Sequence, residues 1–229
     1  MLNVSDLFVS YGQSEALHGI SFVANDNETV AIMGRNGMGK TTLFKSLIGL
    51  LPLKSGKIEV NGQNVSVDEC YRRVAKGIAY VPQGRMIFPT LSVEENIQTG
   101  LENAREKRIP DDIYALFPVL FDMRRRKGGN LSGGQQQQLA IARALVTDPK
   151  VLLLDEPTEG IQPSIIKDIA KALNEIRKLR KITIVVSEQV LSFAMAVADR
   201  LFVIEGGRLV HESPRTATDV AKIKQFLSV

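Results

Sequence analysis

Residues Gly34-Arg35-Asn36-Gly37-Met38-Gly39-Lys40-Thr41 match the pattern G-x-x-x-x-G-K-[ST], and few eight-residue stretches restrict a fold so tightly. The segment before it, Thr29 to Met33, is continuously apolar, as in a strand buried on both faces. Thr42 to Leu50 after it reads as a helix. Gly37 and Gly39 let the backbone curl until successive N–H groups face one anion, and the positive end of the helix adds to that field. Lys40 is expected to reach the β- and γ-phosphates of a nucleoside triphosphate, and Thr41 to offer its hydroxyl to Mg²⁺. Gly34, Arg35, Asn36, Met38 and Thr42 complete the expected phosphate-binding set.

A second segment supplies the complement. Val151-Leu152-Leu153-Leu154-Asp155-Glu156 is an apolar strand carrying two carboxylates to its tip. Such a strand alone is an ordinary solvated strand end. Together with the phosphate loop it makes a phosphoryl-transfer site, with Asp155 expected in the Mg²⁺ shell and Glu156 as general base toward water.

The rest of the 229-residue chain alternates strand and helix around these two segments. Strands are expected at Leu2 to Val9, Leu17 to Val23, Ile78 to Val81 and Ile182 to Val186, with hairpins at 57–67 and 200–212. From Ser92 to about Met123 the pattern turns helical, opened by a Ser92/Glu95 capping box, and a further helix runs from Gly134 to Val146. The fold class is α/β, a parallel-sheet core with an antiparallel β portion and an inserted helical lobe. One domain spans 1–229, with 1–88 and 148–229 forming the β portion and core and about 89–147 the helical lobe. Composition agrees: 44% hydrophobic and 24% charged residues suit a globular domain, not a disordered chain. The longest aliphatic runs fall far short of the roughly 20 residues of a membrane span. The first residues lack the pattern of a signal peptide, and the single cysteine, Cys70, fits a reducing cytosol. A net charge of +4 argues for no partner, and nucleic acid is not expected. The densest basic run, Arg124 to Lys127, reads either as a solvated loop end or as a contact with phosphate or a membrane surface.

Leu131-Ser132-Gly133-Gly134-Gln135 opens a helix with a serine and two glycines, a second anion nest in one chain. A phosphate loop satisfies its own triphosphate, so a second nest points to a phosphate held by another molecule. With these three motifs the chain resembles, over essentially its whole length, the nucleotide-binding domain of ATP-binding cassette (ABC) proteins. That resemblance implies a P-loop NTPase (RecA-like) core, ATP and Mg²⁺ as cofactors, and ATP hydrolysis coupled to transport. It implies a head-to-tail pair in which Ser132, Gly133, Gly134 and Gln135 contact the ATP of a second ABC ATPase subunit. Tyr11 stands where the family stacks an aromatic on adenine, and Gln83, after Tyr80-Val81-Pro82, where it senses Mg²⁺ at the hinge of the helical lobe. The implied partners are two transmembrane permease subunits and, indirectly, an extracytoplasmic solute-binding protein, with the chain on the cytoplasmic face of the membrane. Phe88 is open to two readings, a docking residue or plain core.

Two departures stand out. Glu159-Gly160-Ile161-Gln162-Pro163 lacks the aspartate that the family carries after its Asp-Glu pair, and Glu188 is read as taking the place of the switch histidine. A carboxylate there would repel a γ-phosphate, so Glu188 points away, is protonated, or marks a slow site. The Glu188-Gln189 pair resembles the smaller ATPase subunit of importers for branched-chain amino acids, amides and urea. Within that group, Gly34 to Lys40, Gln135 to Gln138, Pro82 to Arg85 and Glu156 to Ile165 look most like the urea importer. The other classes weighed are a soluble ABC-type ATPase and an ATP-binding module that does not hydrolyse. No coiled-coil array fits between Lys40 and Ser132, and Lys40, Thr41, Asp155 and Glu156 favour hydrolysis.

Overall fold

A computed structural model describes residues 1–102 and 107–227. In chain order it holds β1 (Leu2–Tyr11), β2 (Ser14–Ala24), β3 (Thr29–Met33), α1 (Lys40–Ile48), β4 (Ser55–Val60) and β5 (Gln63–Asn64). There follow α2 (Cys70–Ala75), β6 (Ile78–Val81), α3 (Val93–Gln98), α4 (Asp111–Leu116), α5 (Pro118–Asp122) and α6 (Gly133–Leu145). The chain ends with β7 (Val151–Asp155), α7 (Pro163–Arg180), β8 (Thr183–Glu188), α8 (Leu191–Val197), β9 (Arg200–Glu205), β10 (Arg208–Pro214) and α9 (Val220–Leu227).

Two sheets result. The strands β2-β1-β4-β5 form an antiparallel sheet. The larger sheet runs β10-β9-β3-β8-β7-β6, parallel throughout except for β10, which closes the edge as a hairpin with β9. Its central strands β3, β7 and β8 are buried at every residue, which is why they read as unbroken apolar runs. Alternation then sorts side chains to two cores. Val30, Ile32, Leu153 and Val185 face α1 and the smaller sheet, whereas Ala31, Met33, Leu152, Leu154, Ile184 and Val186 face α6, α7 and α8.

Local chemistry sets the helix starts. Ser92 and Ser132 each cap a helix with a complete capping box, closed by Glu95 and Gln135. Pro118 divides the helical stretch after Pro110 into α4 and α5, because proline disfavours helical geometry at the residue before it, and Phe117 leaves the helix at φ −131°, ψ 70°. Helix α2 has no counterpart among the expected elements, and the expected strand at Asn64 to Val67 shrinks to Gln63–Asn64. Among the described residues no helix is long and apolar enough to cross a membrane.

Candidate nucleotide-binding site

The turn between β3 and α1 places residues 34–39 at the C-terminal edge of the parallel sheet, where open α/β sheets bind ligands. Gly37 and Gly39 take φ of +80° and +104°, a region that side chains rarely adopt. A Cβ on Gly34 would lie 2.7 Å from both the Ile204 side chain and its carbonyl oxygen, so this glycine serves close packing. Lys40, only 3% exposed, donates to the carbonyls of Gly34 (2.7 Å) and Arg35 (2.8 Å) and pairs with Glu156 Oε1 at 2.9 Å. Its ammonium is thus held at the foot of a cavity of about 630 Å³.

Asn36, Gly37, Gly39, Lys40, Thr41, Thr42, Gln83, Glu156 and Tyr11 all line that cavity. Tyr11 is exposed at its mouth, with the hydroxyl 3.3 Å from Thr42 Oγ1. Gly34, Arg35 and Met38 shape the loop without lining the cavity; Met38 packs on the core and its sulfur accepts from the Gly206 N–H. Glu15, Ala16, His18, Gly206 and Gly207 complete the wall, and no local motif marks them. Tertiary pairing brings them in: the His18 N–H donates to the Gly207 carbonyl at 2.9 Å, joining β2 to the β9–β10 turn.

Asp155 is 1% exposed behind the loop. Burial pushes its carboxyl above the ordinary range, hydrogen bonds from the Ser187, Thr41 and Tyr80 hydroxyls pull it back, and the charge of Glu156 adds to the rise. Glu156 follows with φ +46°, a left-handed conformation unusual for glutamate. Gln83 lies across the cavity with Nε2 donating to Glu159 Oε2 at 3.0 Å, and Arg85 donates to the Glu159 carbonyl at 3.0 Å. The pair ties the segment after β6 to the one after β7. Thr41 and Asp155, joined by the Thr41 hydroxyl, make a hard-oxygen donor set that fits Mg²⁺, and Gln83 lines the same cavity as Thr41. Ser132, Gly133, Gly134 and Gln135 do not line this cavity; they open α6 elsewhere.

Glu188 requires a correction. Strand β8 runs on through Glu188, so alternation turns Ser187 to the α1 face and Glu188 to the opposite one. The Glu188 carboxylate is 2% exposed and accepts from Thr158 N (3.1 Å), Thr158 Oγ1 (2.7 Å), Gln189 N (3.0 Å) and Val190 N (3.1 Å). It is a structural carboxylate, and Gln189 is the side chain that reaches the site. Gln189 Nε2 donates to Asn36 Oδ1 at 2.7 Å and Glu156 Oε2 at 3.1 Å. Of the three readings of Glu188, the one in which its carboxylate points away from the phosphate loop is what these contacts describe. Phe88 is also placed: it is exposed, with the Arg143 guanidinium 5.3 Å from its ring centroid, and is not core.

A glycine loop feeding a helix N-terminus, with a buried lysine paired to the carboxylate that directly follows β7, defines a phosphate-loop nucleotide-binding protein. The sequence profile of the family described as ABC transporter matches residues 17–159. The chain is 38% identical over 213 residues to the high-affinity branched-chain amino acid transport ATP-binding protein BraG of Pseudomonas aeruginosa, covering 92% of this chain and 91% of that one. It is 34% identical to the probable branched-chain amino acid transport ATP-binding protein LivF of Archaeoglobus fulgidus, covering 99% and 96%. Among solved structures, a nucleotide-free ATP-binding cassette from an ABC transporter superposes with a TM-score of 0.81 at 26% identity, covering 100% and 95% of the two chains. The chain belongs to the ABC transporter family as an ATP-binding subunit, and its activity is ATP hydrolysis.

Proposed function

We propose that this chain is the ATP-hydrolysing subunit of an importer, working as one half of a head-to-tail pair. The observation that carries the hydrolytic reading is the buried Lys40–Glu156 contact of 2.9 Å at the floor of the cavity. Triphosphate entering there meets the loop N–H groups and the Lys40 ammonium. Glu156 is then placed to take a proton from the attacking water, while Gln189 holds its second oxygen. Tyr11 offers the adenine a stacking face at the mouth. Thr41 and Asp155 would hold Mg²⁺, with Gln83 lining the same cavity as its proposed sensor, and the ion would supply neutralisation of charge on the phosphates. Ser132 to Gln135 serve the nucleotide of the partner subunit, and the helices between about 89 and 147 act as the unit that moves on closure. Glu156→Gln is the test: phosphate release should fall at least about a hundredfold with nucleotide binding retained. Equal release from both proteins would remove Glu156 as the base.

The exposed groove of Met86, Phe88 and Arg143 is where membrane permease subunits would receive that motion, at the cytoplasmic face. The names of the relatives favour branched-chain amino acids as solutes, and short-chain amides are kept beside them on the Glu188-Gln189 resemblance alone. Urea is the second reading, supported by Pro82-Gln83-Gly84-Arg85 and the run Gln135 to Gln138. In both, an extracytoplasmic binding protein selects the solute. Deleting the chain from its host and measuring uptake of labelled leucine, acetamide and urea separates them, because only the coupled solute loses its ATP-driven entry.

A further inference from the structure

Ser187 sits at the point where the two carboxylate-bearing residues of the site meet. Parallel pairing puts its Cα opposite that of Asp155, so both side chains leave the sheet on the α1 face. Its hydroxyl donates to Asp155 Oδ1 at 2.6 Å and accepts from the Glu156 N–H at 3.0 Å. The same N–H also approaches the Ser187 carbonyl at 3.1 Å, so residue 187 grips the Glu156 amide twice. From β6, the Tyr80 hydroxyl donates to the other oxygen, Asp155 Oδ2, at 3.2 Å. The Asp155 carboxylate is therefore held at both oxygens by hydroxyl donors, in a place with almost no solvent to do so.

Two costs make this clamp matter. A buried carboxylate without donors loses far more than one in water. Glu156 at φ +46° is in a region that costs about 1 to 2 kcal/mol for a residue with a Cβ, and it stays there only while its N–H is held. We propose that Ser187 is a positioning residue for hydrolysis: one hydroxyl sets the direction of the Asp155 carboxylate and the backbone turn that aims Glu156, with Tyr80 steadying the far oxygen. The proposal rests on the reading of Asp155 as a metal ligand and Glu156 as the base. Serine is suited to this because its hydroxyl donates one hydrogen bond and accepts another.

The isosteric pair Ser187→Thr and Ser187→Val separates the hydroxyl from packing, with Ser187→Ala and Tyr80→Phe beside it. Mn²⁺ binding to the full chain, read by electron paramagnetic resonance with a non-hydrolysable ATP analogue, reports the ligand geometry without turnover. Ser187→Val and Ser187→Ala should weaken Mn²⁺ about tenfold and lower kcat by a similar factor, as loss of an outer-shell partner does. KM for ATP should stay within about twofold, Ser187→Thr should restore both properties, and Tyr80→Phe should show a smaller change of the same sign. Equal Mn²⁺ affinity in Ser187→Val and Ser187→Thr overturns the proposal. Asp155→Asn is the reference: if it leaves Mn²⁺ binding intact, the metal reading itself fails. If it abolishes binding while Ser187→Val does not alter it, only the positioning role fails. Should the position-187 variants not fold, an unchanged Mn²⁺ affinity in Tyr80→Phe overturns the two-sided clamp.

Discussion

Gln189 and Glu156 meet beside the phosphate loop, the amide Nε2 donating to carboxylate Oε2 at 3.1 Å while Lys40 holds Oε1 at 2.9 Å. Both oxygens of Glu156, the proposed general base, are thus fixed by donors of different kinds. The amide cannot titrate, so it orients Glu156 equally well at any pH near neutral. Gln189→Ala should lower kcat about tenfold, the value of one hydrogen bond to a charged group, with KM for ATP changed less. Gln189→His should keep activity at pH 8 and lose it as the imidazole protonates near about pH 6.5, an acid limb absent from the unaltered chain. A steady-state pH profile of the three proteins checks this, and identical profiles would detach Gln189 from the base.

Glu188, one residue earlier, should behave quite differently. Its Oε2 accepts from two backbone N–H groups and its Oε1 from Thr158, so an amide at this position sets N–H against N–H. Glu188→Gln should cost about 1 to 3 kcal/mol of stability without altering the shape of the kcat profile. Burial raises this carboxyl above its ordinary value of 4.5, against the pull of the Thr158 hydroxyl and the Val190, Gln189 and Thr158 N–H groups. A folded-state value above the unfolded one means the native chain holds the proton more tightly. The stability so contributed is complete below pH 4.5 and is lost as pH rises through the raised value. The melting-temperature advantage over Glu188→Gln should therefore shrink across that window and then level off. An advantage that grows with pH would reverse the assignment.

That one-residue shift shows where sequence reasoning stops. Lys40, Thr41, Asp155 and Glu156 were legible because the spacing within each motif is local and the chemistry demands those residue types. Ser187-Glu188-Gln189 is a polar run with no apolar alternation to fix its phase, so which residue faces α1 depends on β8 extending through Glu188. Tyr80 looked like a strand residue and Ser187 lay just past the expected strand end at Val186, and only the register of three neighbouring strands brings them to Asp155. The wall formed by Glu15, His18, Gly206 and Gly207 depends on β2 meeting the β9–β10 turn, a contact between segments far apart in the chain. Helix α2 has six residues, fewer than two turns, too few for a period to show.

Within α2, Arg73 is only 2% exposed and donates to four main-chain carbonyls, those of Asp68 (2.9 Å), Ser46 (2.7 Å), Leu47 (2.9 Å) and Ser66 (2.9 Å). Ser46 and Leu47 lie in the last turn of α1, where carbonyls run short of helical partners and the Ser46 carbonyl has only the Gly49 N–H of the cap at 3.2 Å beside the guanidinium. The guanidinium therefore closes the helix that starts at Lys40. Arg73→Met fills similar length yet leaves these carbonyls without their donor, and should destabilise the chain by about 3 kcal/mol or more. Chemical denaturation reads this directly, and a loss below about 0.5 kcal/mol would show that water replaces the guanidinium at no cost.

Gly134 is the second glycine of the segment that opens α6, and its environment in this chain is steric. A Cβ there would lie 2.5 Å from Ile165 Cγ2 and 3.1 Å from Ile165 Cβ, on the neighbouring helix α7. Contact at that distance forces one helix to move, because Ile165 is β-branched and has little rotamer freedom to yield. Gly134→Ala should cost about 1 to 3 kcal/mol through overpacking, beyond the gain that alanine brings to a helix. Ile165→Ala removes the opposing methyl groups, so the double variant Gly134→Ala, Ile165→Ala should be more stable than the two separate losses predict. A coupling of about 1 kcal/mol or more in that cycle measures the clash itself. If the losses simply add, the helices separate freely at this point, and the glycine answers to whatever lies against the start of α6 in the working pair.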